Sequence, residues 1–204
     1  MNKKITLAAL FFLSVFALSA QEARYGIKSA IIKKTTEMMG QELKTESIQY
    51  IDDYGGKEAR ITKNKHTITK GNERITIDLK NKTGTKEALS KNRSNYLKLT
   101  PEMIKENEMK EEGKEEVAGK MCDKYTMVMD VNITGKKTAT TIWIWKGIVL
   151  KMVIPSVGLT EFATEIQENV AIKPEIFLVP DDVTIQTNTE PTKPAVIRLK
   201  KEDM

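Results

Sequence analysis

The amino-acid sequence predicts an α+β protein that is mainly β, built on one curved antiparallel sheet that forms an incomplete β-barrel. Three observations lead to this fold class. Short segments of alternating apolar and polar residues recur along most of the 204-residue chain. Glycine, asparagine and aspartate separate those segments, as is typical of hairpin turns. One segment, at 100–112, carries the start signals of a helix, and we expect one or two helices to cover the sheet.

Residues 140–154 are the apolar centre of the sequence and predict a hairpin of two strands. The glycine of Lys146-Gly147 accepts the positive φ of a tight turn between them. Trp143 and Trp145 point to one face of the first strand, and the isoleucines next to them point to the other. Since both faces are apolar, we expect the hairpin to lie in the middle of the sheet. One face is expected to belong to the core, and the other either to a second packed layer or to a ligand cavity.

Residues 1–20 have the composition of a secretory signal peptide. A positively charged start precedes about 14 mostly apolar residues, too few to span a bilayer core of roughly 30 Å. Cleavage fits after Ala20 or after Ser19, and we prefer the first position, which makes Gln21 the mature N-terminus. A retained N-terminal anchor is the alternative. No cysteine follows the cleavage region, so a lipid on a mature N-terminal cysteine is not expected.

The remainder is expected to form one β domain at 21–182 and a flexible tail at 183–204. The length suits one domain with a substantial core. The formal net charge of +5 is modest and spread along the chain, which is typical of a soluble surface and not of a nucleic-acid-binding one. No second apolar run approaches membrane-spanning length. We therefore expect a periplasmic or secreted protein without a transmembrane segment in its mature chain and without a nucleic-acid partner.

Alternation and turn signals place the strands in order. The two glycines that follow Asp52-Asp53 and the pair Gly71-Asn72 are hairpin signals, and 132–136 is expected to turn the chain. The expected strands cover residues 25–36, 43–51, 57–65, 66–70, 74–80, 121–131, 138–145, 148–154 and 162–170. We therefore expect a meandering sheet of roughly eight to ten strands.

A helix is predicted from Thr100 to about Glu112, between the two halves of the sheet. Thr100 has the N-cap position, Pro101 the first helical position, and Glu102 places an acid in the first turn. Gly113 is expected to end the helix. Its few apolar residues form a narrow stripe, so its charges are interpreted as a solvated face.

The sequence shows no catalytic, metal-binding or cofactor-binding pattern. The single cysteine, Cys122, lies in a strand-like run, where a buried filler is favoured over a reactive thiol. The single histidine, His66, is distant in sequence, and a pairing of the two in space stays open. The acid pairs Asp52-Asp53 and Asp181-Asp182 lie at turns or element ends, where aspartate bonds the backbone. They lack further ligands at metal-binding spacing, so we expect no metal, no cofactor and no catalytic residue.

Apolar side chains of the second half are the candidates for lining a ligand cavity. Flexible thioethers suit an adaptable apolar surface, although ordinary core filling is the more frequent role of methionine. In the second strand of the hairpin, Ile148, Leu150, Met152 and Ile154 are expected to share one face. The candidate lining residues are Met127, Met129, Trp143, Trp145, Leu150 and Met152.

Four segments of the second half resemble a known family. They are 117–125 (VAGKMCDKY), 143–151 (WIWKGIVLK), 163–166 (ATEI) and 177–180 (FLVP). With these segments the chain resembles, over about residues 25–182, exported proteins related to the outer-membrane lipoprotein carriers, the LolA/LolB-like superfamily. The resemblance implies an incomplete β-barrel, capped by helices, whose apolar hollow receives acyl chains. It assigns no role to an individual residue.

Two functions follow as expectations. The first is an exported periplasmic binding protein for a lipid, an acyl chain or another hydrophobic ligand, with a lipidated protein as a further partner and envelope trafficking as its role. The alternative is a non-enzymatic protein-interaction or envelope-structural module in which both faces of the sheet are packed. A hydrolase is the weakest hypothesis, because it needs a nucleophile–base pair and His66 is the sole imidazole. A cavity beneath Trp143 or Trp145 would favour the first function, and a sealed core the second.

Overall fold

The computed structural model describes residues 22–40, 44–89, 94–131 and 136–187. Within these ranges the chain forms twelve β-strands and one short α-helix. The strands are β1 (Ala30–Met38), β2 (Lys44–Asp52), β3 (Lys57–Thr62), β4 (Lys65–Lys70), β5 (Glu73–Asp78), β6 (Thr83–Ala88), β7 (Lys110–Val117), β8 (Lys120–Val131), β9 (Lys136–Trp145), β10 (Ile148–Ile154), β11 (Leu159–Glu168) and β12 (Thr184–Thr187), and the helix is α1 (Pro101–Glu106).

All twelve strands belong to one sheet, in the order β12-β6-β5-β4-β3-β2-β1-β11-β10-β9-β8-β7. Neighbouring strands run antiparallel, except for β12 and β6, which run parallel. The two edge strands, β12 and β7, do not pair, so the sheet stays open. This confirms the predicted fold, a mainly β protein with a curved, unclosed sheet and little helix.

The sheet curls strongly at its β7 end. β7 contacts β11, although three strands lie between them in the sheet. Val117 of β7 and Ala163 of β11 belong to one apolar cluster, together with Ile32, Trp143 and Leu150. The side of the sheet that carries this cluster is termed the inner face, and the opposite side the outer face. The curl of β7–β11 around the inner face is the barrel-like part of the molecule.

Residues 94–109, which include α1, cover the outer face at β8–β10. Met109, at the end of this segment, is buried against Met127, Ile142 and Ile144. The isoleucines on one side of β9 and the tryptophans on the other therefore lie in two different clusters, as the sequence predicts. Apolar burial on both sides explains why this hairpin lies inside the sheet and away from its edges.

Residues 169–183 cross the outer face of the other half of the sheet and lead to β12. Phe177 is buried in this crossing. His66 of β4 is also buried, and its Nε2 lies 2.9 Å from the carbonyl oxygen of Ile176. This contact fastens the crossing segment to the sheet.

The helix is shorter than predicted, and its expected second half is a strand. α1 ends at Glu106, and Glu108 adopts a φ of 48°, which stops the helical path. From Lys110 onward the chain pairs with β8 as the edge strand β7. Gly113, expected to end the helix, lies in a β-bulge with a φ of 89°. The charged segment Lys110–Val117 shows neither the helical period of apolar residues nor the alternation of a strand. Its pairing with the long strand β8 therefore determines its structure.

A β-bulge divides the four residues of β10 that were predicted to share one face. The register between β9 and β10 shifts at Leu150, which is the extra residue. Ile148 and Leu150 lie in the inner cluster, whereas Met152 and Ile154 pack in other clusters. The prediction was wrong because a bulge reverses the alternation of the residues that follow it.

The predicted tail at 183–204 begins with β12, whose Ile185 lies opposite Gly84 of β6. Positions 188–204 and the predicted signal peptide, 1–20, lie outside the described residues. In the described part of the chain, no helix has the length and apolar character that a bilayer crossing requires.

Replacing Gly147 by alanine is expected to lower the free energy of unfolding by about 3 kcal/mol. Gly147 has a φ of 81°, and an added Cβ would lie 2.7 Å from the carbonyl oxygen of Arg24. Gly119→Ala is the matched control, since Gly119 has a φ of 74° but no described atom within 4 Å of the added Cβ. The control is expected to lose only about 1 kcal/mol in urea unfolding. Equal losses would contradict a role for crowding at this turn.

The stability of the protein is expected to fall with acid below about pH 6.5, because of His66. Burial lowers the pKa of His66, and its hydrogen bond to Ile176 only partly opposes this. The unfolded chain therefore binds a proton at a higher pH than the folded one, and stability is lost as the pH falls through the folded pKa. His66→Gln keeps a donor and removes the titration, so its urea midpoint should decline less between about pH 7.5 and about pH 5.5. Parallel declines in both proteins would contradict the assignment.

Candidate functional site

The six candidate lining residues lie in two groups on opposite faces of the sheet. The inner-face group is Trp143, Trp145 and Leu150, and the outer-face group is Met127, Met129 and Met152. Because the sheet itself separates the two groups, they do not line one common hollow. Their role as ligand-lining residues stays a prediction.

Trp143 lies between two lysines on the inner face. The ammonium groups of Lys124 and Lys151 lie 5.1 and 4.2 Å from the centre of its ring, which is cation–π distance. Glu115 of β7 accepts hydrogen bonds from the same two lysines, at 3.2 and 3.1 Å. The lysine stems and the carboxylate cover the indole, which is 5% exposed.

The carboxylate of Glu115 is strongly stabilised in its ionised form. The Trp143 indole N–H contributes first, then Lys151 and Lys124, and together they lower the pKa of Glu115 to about 2. The indole contact is loosely aligned, since its buried nitrogen has no hydrogen bond of standard geometry among the described residues. Glu115 thereby connects β7 to β8 and, across two intervening strands, to β10.

The same arrangement recurs at Trp145. Lys120 and Lys146 lie 5.2 and 4.7 Å from its ring centre, and both pair with Glu168 at the end of β11. The bridge from Lys120 to Glu168 spans from β8 to β11. These bridges connect strands that are not neighbours in the sheet and so stabilise its curl. The tryptophans lie in a packed layer under charged side chains.

A second charged group, termed the Lys34 triad, lies further along the inner face and consists of Lys34, Arg60 and Glu161. Lys34 is buried, and its Nζ donates to the carbonyl oxygen of Val149 at 2.9 Å and to Glu161 Oε1 at 3.4 Å. Arg60 donates to the other oxygen of Glu161. It also donates to Ser47 Oγ at 3.0 Å. The triad therefore joins β1, β3 and β11 on one surface.

Burial acts on the two ends of the triad in opposite ways. It lowers the pKa of Lys34, because a buried ammonium loses its hydration. Burial alone would raise the pKa of Glu161, but the charges of Lys34 and Arg60 outweigh it and lower that pKa to about 2. Glu161 is therefore ionised at neutral pH and holds the two cations on the inner face.

A cleft of about 420 Å³, termed the end cleft, opens where β1 and β10 end and β2 and β11 begin. Its apolar wall consists of Met38, Met39, Val153, Pro155 and Leu159, and its polar side chains are Glu37, Lys44 and Thr160. The cleft is partly open to solvent, and Met39 is 87% exposed. None of the six candidate residues lines it.

Local backbone geometry shapes the end cleft. Pro155 begins a short 3-10 turn after β10, and Gly158 ends it with a φ of 63°. The N–H of Met39 donates to the carbonyl oxygen of Gly158 at 2.7 Å. A Cβ at position 158 would lie 2.7 Å from the Cβ of Met39, so only glycine lets the end of β1 come this close.

Sequence reasoning missed both the end cleft and the Lys34 triad. The segment at Met38-Met39 shows only a turn signal, and Val153, Pro155 and Leu159 mark no more than the end of a strand. Two adjacent methionines at a turn are the one available signal of an exposed apolar surface. The triad gives no signal in sequence, because its members are at least 26 positions apart and meet only through strand pairing.

The described residues contain no cluster of three or more histidine, cysteine or acidic side chains arranged to hold a metal. Cys122 is buried, and burial raises the pKa of its thiol to about 11. The end cleft, in contrast, is an accessible concave surface with an apolar wall. What the geometry offers chemically is binding of an apolar group.

No protein-family model matches the sequence, and no curated protein matches it. Several solved structures are nevertheless similar. An uncharacterized conserved protein from Thermus thermophilus superposes with a TM-score of 0.57 over 84% of this chain and 96% of its own, at 10% identity. MucB, in the MucA/MucB complex of Pseudomonas aeruginosa, superposes with a TM-score of 0.53 at 10% identity, over 83% of this chain and 61% of the MucB chain.

At this level of identity the similarities show the fold alone. The chain shares the fold of a curled, open β-sheet with these structures. The superposition spans about three fifths of the length of the MucB chain. A putative outer membrane lipoprotein-sorting protein domain from Vibrio parahaemolyticus is also similar, at 9% identity over 78% of this chain, but its TM-score of 0.39 does not establish a common fold. The incomplete barrel implied by the resemblance to lipoprotein carriers is present, and membership in that superfamily stays a prediction.

Glu161→Gln is expected to lower the free energy of unfolding by about 2 to 4 kcal/mol, because it removes the carboxylate that pairs with buried Lys34 and with its neighbour Arg60. Glu165→Gln is the matched control, since Glu165 pairs with Lys33 on the same two strands, where both side chains are exposed. The control is expected to change stability by no more than about 1 kcal/mol. Urea unfolding at neutral pH measures both variants, and equal losses would contradict the special position of Glu161.

Proposed function

We propose that this chain is an exported binding protein whose end cleft takes an apolar ligand, such as an acyl chain or the acyl group of a lipidated protein. The observation that carries the proposal is the cleft of about 420 Å³ with its wall of methionine, valine, proline and leucine. This volume falls within the range of roughly 300 to 1,000 Å³ that small-molecule sites occupy.

The exposure of the cleft wall supports an apolar ligand. Met39 is 87% exposed beside the apolar wall of the cleft, so its side chain is available to cover apolar surface of a bound molecule. Methionine side chains adapt to ligands of varied shape, because they are unbranched and polarisable. Leu159, by contrast, is buried and packs with Ile154, so this part of the cleft wall is held in place by the core.

The proposal moves the ligand away from the tryptophans. Trp143 is covered by the Lys124, Lys151 and Glu115 group and is 5% exposed, whereas Met39 at the end cleft is 87% exposed. We therefore assign to the end cleft the binding of acyl chains that the resemblance implies for the hollow of a barrel.

Export and a non-enzymatic role belong to the same proposal. The positively charged, apolar sequence of residues 1–20 supports export to the periplasm or beyond. The buried thiol of Cys122 and the imidazole of His66, engaged with Ile176, support binding without catalysis, since neither is placed as an accessible nucleophile or base.

A protein-interaction module is the second candidate. The packed layer over the tryptophans favours it, because a protein whose tryptophan rings are covered would bind its partner through its outer surface. MucB, which shares the fold, is found in complex with MucA. Under this function the end cleft would receive an apolar side chain of a partner protein.

Met38→Asp is expected to weaken the binding of decan-1-ol at least about tenfold, because it places a charge on the apolar wall of the cleft. Met121→Asp is the matched control. Met121 is 59% exposed and lies outside the cleft, so its substitution should leave the affinity unchanged. Calorimetric titration of the exported chain, residues 21–204, with decan-1-ol measures the affinity of each protein.

Absence of binding by the unsubstituted protein would overturn the apolar-ligand proposal and leave the interaction module. Mass spectrometry of the exported protein purified from its producing cells is the second measurement. Co-purified acyl compounds that are lost in Met38→Asp and kept in Met121→Asp support the proposal. Lipid-free preparations of all three proteins count against it.

A further inference from the structure

The Lys34 triad lies next to the end cleft along β1 and β11. Thr36 of β1 lies opposite Glu161 of β11, and the next pair on the same side is Met38 opposite Leu159. Two residues along a strand span about 7 Å, so the charged triad is one step further along the strands than the apolar wall of the cleft. A single-chain amphiphile is long enough to contact both.

The triad carries more positive than negative charge. It contains two cations, Lys34 and Arg60, for the one carboxylate of Glu161. The neighbouring ion pairs are balanced: Arg24 with Glu58 on the inner face, and Lys44 with Glu37 at the cleft. Coulombic attraction between Lys34 and Glu58 is present but smaller than that between Lys34 and Glu161.

The two cations are held in different ways. Lys34 is buried and makes its shorter hydrogen bond to a backbone carbonyl, at 2.9 Å, while Glu161 lies at 3.4 Å. The side chain of Arg60 is 39% exposed, and solvent reaches it. Of the two cations, Arg60 is therefore the one that an anion can reach from solvent, and the buried ammonium of Lys34 lies beside it through their shared partner Glu161.

We propose that the ligand of the end cleft is an amphiphile with a carboxylate head group, which binds Arg60 beside Lys34 while its apolar tail lies against Met38 and Leu159. This inference rests on the proposed function of the cleft. A carboxylate matches the planar donors of arginine in a two-point contact. It also adds a second carboxylate beside the two cations of the triad, and it favours the charged form of Lys34 that burial opposes.

The test compares decanoate with decan-1-ol and decyltrimethylammonium, which share the tail and differ in the head group. At neutral pH and low salt, decanoate should bind about tenfold more tightly than decan-1-ol, and the cationic analogue should bind more weakly than either. The preference for decanoate should diminish at high salt, because Arg60 is partly exposed to screening ions.

Arg60→Gln should abolish the preference for decanoate and leave the affinity for decan-1-ol within about twofold. Arg60→Lys keeps a charge and loses the planar fork, so it should keep part of the preference. Arg74→Gln is the matched control, since Arg74 pairs with Glu87 on β5 and β6, away from the cleft, and its substitution should leave the preference intact. Circular dichroism establishes that each variant is folded.

The outcomes separate this inference from the proposed function. Equal affinities of the unsubstituted protein for decanoate and decan-1-ol overturn the carboxylate head group and leave the apolar cleft in place. Absence of binding by both compounds overturns the proposed function itself. Equal effects of Arg60→Gln and Arg74→Gln overturn the assignment to the triad. Should Arg60→Gln fail to fold, the head-group preference of Arg60→Lys and of the unsubstituted protein, with its salt dependence, decides the question.

Discussion

Lysine–glutamate bridges between non-adjacent strands are the interaction on which the shape of this protein depends. Lys151 on β10 reaches Glu115 on β7, and Lys120 on β8 reaches Glu168 on β11. An isolated surface ion pair contributes little to stability. Here each pair lies over a tryptophan ring, so charge attraction, cation–π contact and apolar burial act at the same place. The bridges fix the curl, and the curl separates a packed inner face from the cleft at its end.

The inner face illustrates how a curled sheet combines charge with an apolar core. Ile32 and Lys34 follow each other on the same side of β1, the first fully buried in the apolar cluster and the second buried in an ion-pair network. Such charges are tolerated only with compensating partners, which is why Glu161 stays ionised although it is half-buried. Structures with a TM-score above 0.5 share the curled sheet, but at 10% identity they do not share a demonstrable site.

Much of the fold was predictable because strand alternation and turn residues are local signals. The Lys146-Gly147 turn and the division of β9 into a tryptophan side and an isoleucine side were both predicted from residues 140–154. Prediction failed where pairing overrides local pattern. The charged run from Lys110 became β7 because β8 offers it hydrogen bonds, and the bulge at Leu150 reversed the faces of the residues after it.

The sequence by itself determined the mainly β class and the central hairpin, since each depends on neighbouring residues. Only the tertiary structure decided where an apolar ligand has room. Met38 and Leu159 are 121 positions apart in the chain and lie directly opposite each other in the sheet. Lys34, Arg60 and Glu161 meet in the same way, through the registers of three strand pairs. A site formed by residues from distant strands depends on those registers, which no local residue pattern specifies.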